Sequence, residues 1–115
     1  MADAQISISD KVNGKKAVLS LAGELDAKTT PTVKAKLDEL LSKGIDGLLI
    51  DCTQLTYISS AGIGALNAAL KTLQNNNGKM ALACLSKAVR DTMDLMHFTK
   101  RVPVFATAAE GEKNI

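Results

Sequence analysis

Two adjacent hydroxyls, Ser59 and Ser60, sit where an apolar run gives way to a helical pattern, and no other stretch of the chain is as well placed for chemistry. Upstream, Gly47-Leu48-Leu49-Ile50-Asp51-Cys52 reads as a covered strand. Downstream, Ile63, Leu66, Leu70 and Leu73 recur at helical spacing. A serine at a helix start accepts a hydrogen bond from a free N–H of the first turn. Phosphorylated, it would carry about −1.5 to −2 charges, which the same N–H groups and the helix dipole would accommodate. The pair reads either as a helix cap or as a charge switch. Asp26, in Gly23-Glu24-Leu25-Asp26, has a similar double reading: a functional acid, or a turn acid ahead of Thr29-Thr30.

Other chemistries find less support. Gly62-Ile63-Gly64-Ala65-Leu66-Asn67 is a broken dinucleotide fingerprint: Asn67 stands where a third glycine belongs, and the next strand closes on Cys84-Leu85 without an acid. Gly62 and Gly64 read equally well as sites of close helix–sheet packing. Neither a Gly-x-x-x-x-Gly-Lys-Ser/Thr loop nor a Gly-x-Ser-x-Gly elbow occurs. The single histidine, His97, falls at the end of a helical segment, favourably placed against its C-terminal dipole. Cys52 and Cys84 with one histidine are too few for zinc, and within strand-like segments both read as reduced core residues. No catalytic residue, metal or cofactor is expected, and the chain does not read as an enzyme. Lys87, Arg90, Lys100 and Arg101 read as a solvated face.

The elements that would position Asp26 and Ser60 follow from periodicity. Ile6 and Ile8, with Ala4 before them, alternate with polar residues as a first strand; Asn13-Gly14 turns the chain into a second, Ala17 to Ala22. Thr29-Thr30-Pro31 supplies a hydroxyl cap and a first-turn proline for a helix with Val33, Leu37, Leu40 and Leu41 on one face, ended by Gly44. A third strand over 47–52 leads through the serines into a helix over about 61–76, stopped by Asn75-Asn76-Asn77-Gly78. Lys79 to Leu85 is a fourth strand. Ser86 caps a helix with Val89, Met93 and Met96 facing inward, and Val102 to Ala106 is a last strand that Pro103 assigns to the sheet edge. The order β-β-α-β-α-β-α-β predicts an α/β domain, mostly parallel, with an N-terminal hairpin. Asp26 and Ser60 then leave neighbouring strands on the carboxyl rim, where ligands and partners of such sheets gather.

Composition narrows the class. The 115 residues suffice for one domain with a substantial core, 4–106, followed by a short polar tail, 107–115. With no Trp, one Tyr and two Phe, that core must rest on aliphatic side chains. A net charge of +2 without a basic stripe argues against direct nucleic-acid binding. No apolar run approaches the roughly 20 residues of a membrane span, and the N-terminus lacks a signal pattern, so a cytoplasmic protein without membrane insertion is expected.

Gly23-Glu24-Leu25-Asp26, then Leu48-Leu49-Ile50-Asp51 leading into Leu55-Thr56-Tyr57-Ile58-Ser59-Ser60-Ala61-Gly62-Ile63-Gly64, then the spacing to Ser86-Lys87-Ala88-Val89, together resemble the STAS family, in particular its bacterial anti-sigma factor antagonists. The resemblance spans about residues 4–106. It implies a protein that binds an anti-sigma factor, itself a serine kinase of the histidine-kinase-like ATPase type, and thereby frees a sigma factor. Phosphorylation of one serine ends the binding, and a phosphatase restores it. Alignment of the blocks puts that serine at Ser60, with Ser59 as second choice, and a partner surface over Glu24, Asp26, Ser59, Ser60, Ala61, Gly62 and Ile63. Well-studied members usually carry Asp before the acceptor and Ser or Thr after it, where this chain has Ser59 and Ala61. Two alternative readings are a regulatory STAS subunit of a membrane transporter and a small-ligand or nucleotide-binding module.

Overall fold

A computed structural model describes residues 6–115; the expected contribution of Ala4 to the first strand lies outside them. The chain forms β1 (Ile6–Asn13), β2 (Lys16–Leu25), α1 (Thr30–Ser42), β3 (Gly47–Ile58), α2 (Ser60–Asn75), β4 (Lys79–Ala83), α3 (Lys87–Leu95), a single 3₁₀ turn (Phe98–Lys100), β5 (Val104–Phe105) and α4 (Ala108–Glu112). The five strands lie side by side in sequence order, β1 antiparallel to β2 and the others parallel. The β1–β2 hairpin closes through Gly14 and Lys15, with Gly14 in the left-handed region at φ 64° that a tight hairpin turn requires.

Strand alternation sorts the sheet into two faces. Leu19, Leu21, Leu48, Ile50 and Cys52 join Val33, Leu37, Leu66, Leu70 and Val89 from the helices in the main core. Leu49, Ala81 and Ala83 point the other way, into a smaller cluster with Phe105, Ala108 and Ile115. The tail left unassigned by periodicity supplies that second cover. Thr107 caps α4 by accepting the Glu110 N–H at 3.1 Å, and Gly111 packs so closely on Leu49 that a Cβ there would fall 2.5 Å from Leu49 Cδ1.

Four local expectations are corrected. β3 continues to Ile58 instead of stopping at Cys52, because two register shifts against β2, between Ser20 and Ala22 and between Gly23 and Glu24, break the alternation. Past Cys52 only Leu55 and Ile58 turn inward, a spacing of three that hides a strand. β4 ends at Ala83, since Cys84 adopts φ 61°; its thiol donates to the Ala106 carbonyl at 3.3 Å, and the residue is half-buried at the margin of the smaller cluster rather than fully in the core. Val89 and Met93 are buried, but α3 ends at Leu95 and Met96 is 42% exposed, out of the helical period. β5 is confined to two residues, at the sheet edge where Pro103 placed it.

Candidate functional site

Parallel pairing brings the ends of β2 and β3 level, Leu25 opposite Ile58. The Ser59 N–H then donates to the Leu25 carbonyl at 2.8 Å, which places the Asp26 turn and the Ser59-Ser60 turn side by side on the carboxyl rim. Thr56 Oγ1 adds a 3.0 Å bond to the Gly23 carbonyl just below.

The two serines have different surroundings. Ser59 is half-buried and extended (φ −99°, ψ 171°), and its Oγ accepts the Gly62 N–H at 3.4 Å as the cap of α2. Ser60 is the first residue of α2, exposed, and its hydroxyl has no hydrogen-bond partner among the described residues. Ala61 is exposed beside it, whereas Gly62 and Ile63 lie beneath the surface. Gly62 permits that close seating: a Cβ there would meet Leu25 Cγ at 2.6 Å and Ile58 Cγ1 at 3.1 Å.

Asp26 is half-buried and its carboxylate is engaged locally. Oδ1 accepts the N–H groups of Lys28 at 2.9 Å and Thr29 at 3.0 Å. The Thr29 N–H bond foremost, then those from Lys28 and the Thr29 hydroxyl, hold the carboxyl below its ordinary value of 3.8 against partial desolvation. Glu24 is exposed and faces Tyr57 across the β2–β3 pair.

Thr29 has a role its position hid. The hydroxyl expected to cap α1 makes no cap bond. It turns back to the end of β2, donating to the Glu24 carbonyl at 2.7 Å and accepting the Asp26 N–H at 2.9 Å, while only 6% exposed. Thr30 Oγ1 donates to the Asp26 carbonyl at 2.6 Å. Asp-x-x-Thr is the available signal for such a turn, since short polar side chains bond the backbone a few residues away. Tyr57, half exposed beside the serine turn, likewise carries no signal in the periodicity of the sequence.

The remaining candidates lie elsewhere. His97 follows α3 as an exposed residue at φ 62°. Lys87 pairs with Asp91 at 2.8 Å and Arg90 with Asp94 at 3.8 Å, and Arg101 donates to Asn67 Oδ1 at 2.6 Å. No group of three His, Cys, Asp or Glu among the described residues could hold a metal ion. No helix among them is long and apolar enough to cross a membrane.

This arrangement can be set beside known proteins. The chain matches the STAS domain family over residues 5–111. It belongs to the STAS family. Among curated relatives, an anti-sigma-B factor antagonist of Listeria monocytogenes is 31% identical over 94 residues, covering 82% of this chain and 81% of its own. The crystal structure of an anti-sigma factor antagonist from Mycobacterium paratuberculosis superposes with a TM-score of 0.89 at 21% identity, over 99% of this chain and 97% of the other. The Bacillus anti-sigma factor antagonist SpoIIAA has the same fold at 20% identity over 92% of this chain. Its unphosphorylated form gives a TM-score of 0.79 over 91% of that chain, and its phosphorylated form 0.71 over 95%. The STAS fold of this chain is thus a five-stranded mixed sheet in the order β-β-α-β-α-β-α-β-α, with the hairpin and parallel remainder expected from the sequence.

Proposed function

We propose that this chain is an anti-sigma factor antagonist: it binds an anti-sigma factor that is also a serine kinase, releases a sigma factor, and is switched off by phosphorylation of Ser60. The observation that carries this reading is the contrast between the two hydroxyls. Ser59 is occupied as the cap of α2, and Ser60 stands exposed and unengaged on the rim. The curated relatives that are anti-sigma factor antagonists support the partner class.

The kinase transfers the γ-phosphoryl group of ATP to Ser60 Oγ: the bond from the γ-phosphorus to the bridging oxygen breaks, ADP leaves, and the hydroxyl proton is lost to a base or to solvent. The product adds about −1.5 to −2 charges at the amino end of α2, where the helix dipole favours negative charge. The fold therefore tolerates the change, and its effect falls on the partner, which must meet a dianion where it met a neutral hydroxyl. Asp26 and Glu24 on the same rim deepen the local negative potential. Like-charge contact at an interface costs several kcal/mol, and about 1.4 kcal/mol is tenfold in affinity. Loss of at least about 100-fold in binding follows. A phosphatase resets the switch.

Intact-mass and fragment mass spectrometry of the protein from its native cells tests the assignment. A substoichiometric gain of one phosphate on Ser60 is expected. Phosphate on Ser59, or none under any growth condition, would refute it.

A further inference from the structure

The acids of this chain leave one flank bare. None lies between Asp51 and Asp91, and none between Asp94 and Glu110. α2, β4 and the segment from the 3₁₀ turn through β5 therefore carry cations as their only charges. Lys71, Lys79, Lys100 and Arg101 form no ion pair among the described residues. Two of them, Lys79 and Arg101, line a groove of about 220 Å³ between α2 and the start of β4, whose walls include apolar Leu70, Met80 and Pro103. Lys71 shares a face of α2 with Asn67, four residues before it, and Asn67 Oδ1 holds the Arg101 guanidinium at 2.6 Å.

β4 brings an unfilled main-chain rung to this groove. On the β3 side, the Lys79 N–H donates to the Asp46 carbonyl at 2.8 Å. On the β5 side, the Leu82 N–H donates to Pro103 at 2.9 Å and the Cys84 N–H to Phe105 at 3.0 Å. Alternation along the strand turns Met80 to the β5 side as well. There β5 offers it nothing. Pairing begins only at Leu82 with Val104, and Pro103 has no N–H to give. The N–H groups of Arg101 and Val102 fold their segment back onto the Phe98 carbonyl, at 3.0 and 3.2 Å. The Met80 N–H and carbonyl thus have no main-chain partner on that side among the described residues, although Met80 is only 3% exposed. Buried main-chain groups are nearly always paired, so this rung calls for a partner that enters through the groove.

We infer that the groove docks an acidic, extended segment of a second protein, whose carboxylates meet Lys79 and Arg101 and whose main chain fills the Met80 rung. A free anion would supply no donor for the Met80 carbonyl. Single-stranded nucleic acid binds on stacking aromatics, and the exposed aromatic side chain, Tyr57, lies near the far end of β3. An extended chain added at an open strand edge is an established mode of peptide recognition. Lys79 opens β4 and Ser60 follows the end of β3, so groove and serine turn occupy opposite ends of the parallel strands. The inference is independent of the reading of Ser60 as a switch, and such a partner stays bound in either state of that serine.

The probe is a short peptide of alternating glutamate and valine, blocked at both ends, titrated into the full chain and followed by amide NMR. Saturable shifts should centre on Lys79, Met80 and Arg101, and Ser60→Asp should bind the peptide as wild type does. Lys79→Gln combined with Arg101→Gln should weaken binding at least about tenfold at a wild-type melting temperature. Pro103→Ala supplies an N–H for the Met80 carbonyl and leaves both cations in place; it should weaken binding about fivefold. Absence of saturable shifts at these residues, or wild-type affinity in the double variant or in Pro103→Ala, would overturn the inference. So would equal binding of a glutamine–valine peptide, or tighter binding of a single-stranded thymidine oligonucleotide at the same residues, the mark of a nucleic-acid surface. None of these results bears on the switch at Ser60.

Discussion

The Ser59 N–H donates to the Leu25 carbonyl at 2.8 Å, and this one bond joins the end of β2 to the start of α2. Through it, the turn that carries Asp26 and the turn that carries Ser60 are held as one rim, although 34 positions of sequence (60 minus 26) separate them. The rim is stiff because each turn is also locked from within: Asp26 by Lys28 and Thr29, Ser59 by Gly62. Rigid turns suit a switch in which one added charge, rather than a refolding, changes what can bind.

Thr29 should prove the structural keystone of this rim. Thr29→Val removes the hydroxyl from a buried site and leaves the Glu24 carbonyl and the Asp26 N–H without that partner. Leaving buried groups unsatisfied costs about 1–3 kcal/mol. Urea unfolding should show a lower midpoint with an unchanged slope, and a variant as stable as wild type would contradict the role given to this hydroxyl.

Acid should loosen the rim through Asp26. Its folded-state carboxyl lies below its ordinary value, chiefly through the Thr29 N–H bond. The stabilisation is therefore present above the unfolded value, about pH 4, and is lost as pH falls through the lower folded value. Asp26→Asn keeps an acceptor oxygen but not the charge, so its stability should fall less steeply below pH 4 than that of wild type. Parallel acid limbs for the two proteins would show that the bonds to Lys28 and Thr29 do not perturb this carboxyl.

The cysteines should separate by reactivity. Cys52 is fully buried in β3, and burial pushes its thiol up to about 12, whereas Cys84 is half-buried beside the sheet edge. At pH 8 an aromatic disulfide reagent should label Cys84 in the folded protein and reach Cys52 only after unfolding, because the thiolate is the nucleophile. Rapid labelling of a Cys84→Ser variant under native conditions would contradict this.

Much of this arrangement was legible in the sequence. The hairpin, the alternation of helix and strand, and the serine turn between an apolar run and a helical pattern predicted a parallel sheet with Asp26 and Ser60 on one rim. What escaped did so for identifiable reasons. β3 hid beyond Cys52 because register shifts gave Leu55 and Ile58 a spacing of three, which belongs to neither the strand nor a full helical pattern. Thr29 resembled a cap because its neighbours Thr30 and Pro31 mark a helix start, and only the folded turn shows its hydroxyl directed back at Glu24 and Asp26. Ser59 and Ser60 are indistinguishable as residue types; the hydrogen bond to Gly62 separates them. α4 was unassigned because its few apolar side chains gain their meaning from Leu49 on the far face of the sheet.

A phosphate on Ser60 should by itself end partner binding. The direct measurement is the affinity of the cognate kinase-type anti-sigma factor for the full chain carrying phosphoserine at position 60, against the unmodified chain and Ser60→Ala. Unmodified protein and Ser60→Ala should bind alike, Ser60→Asp more weakly, and the phosphorylated chain at least about 100-fold more weakly with its fold intact. Equal affinity of the phosphorylated and unmodified chains would contradict it.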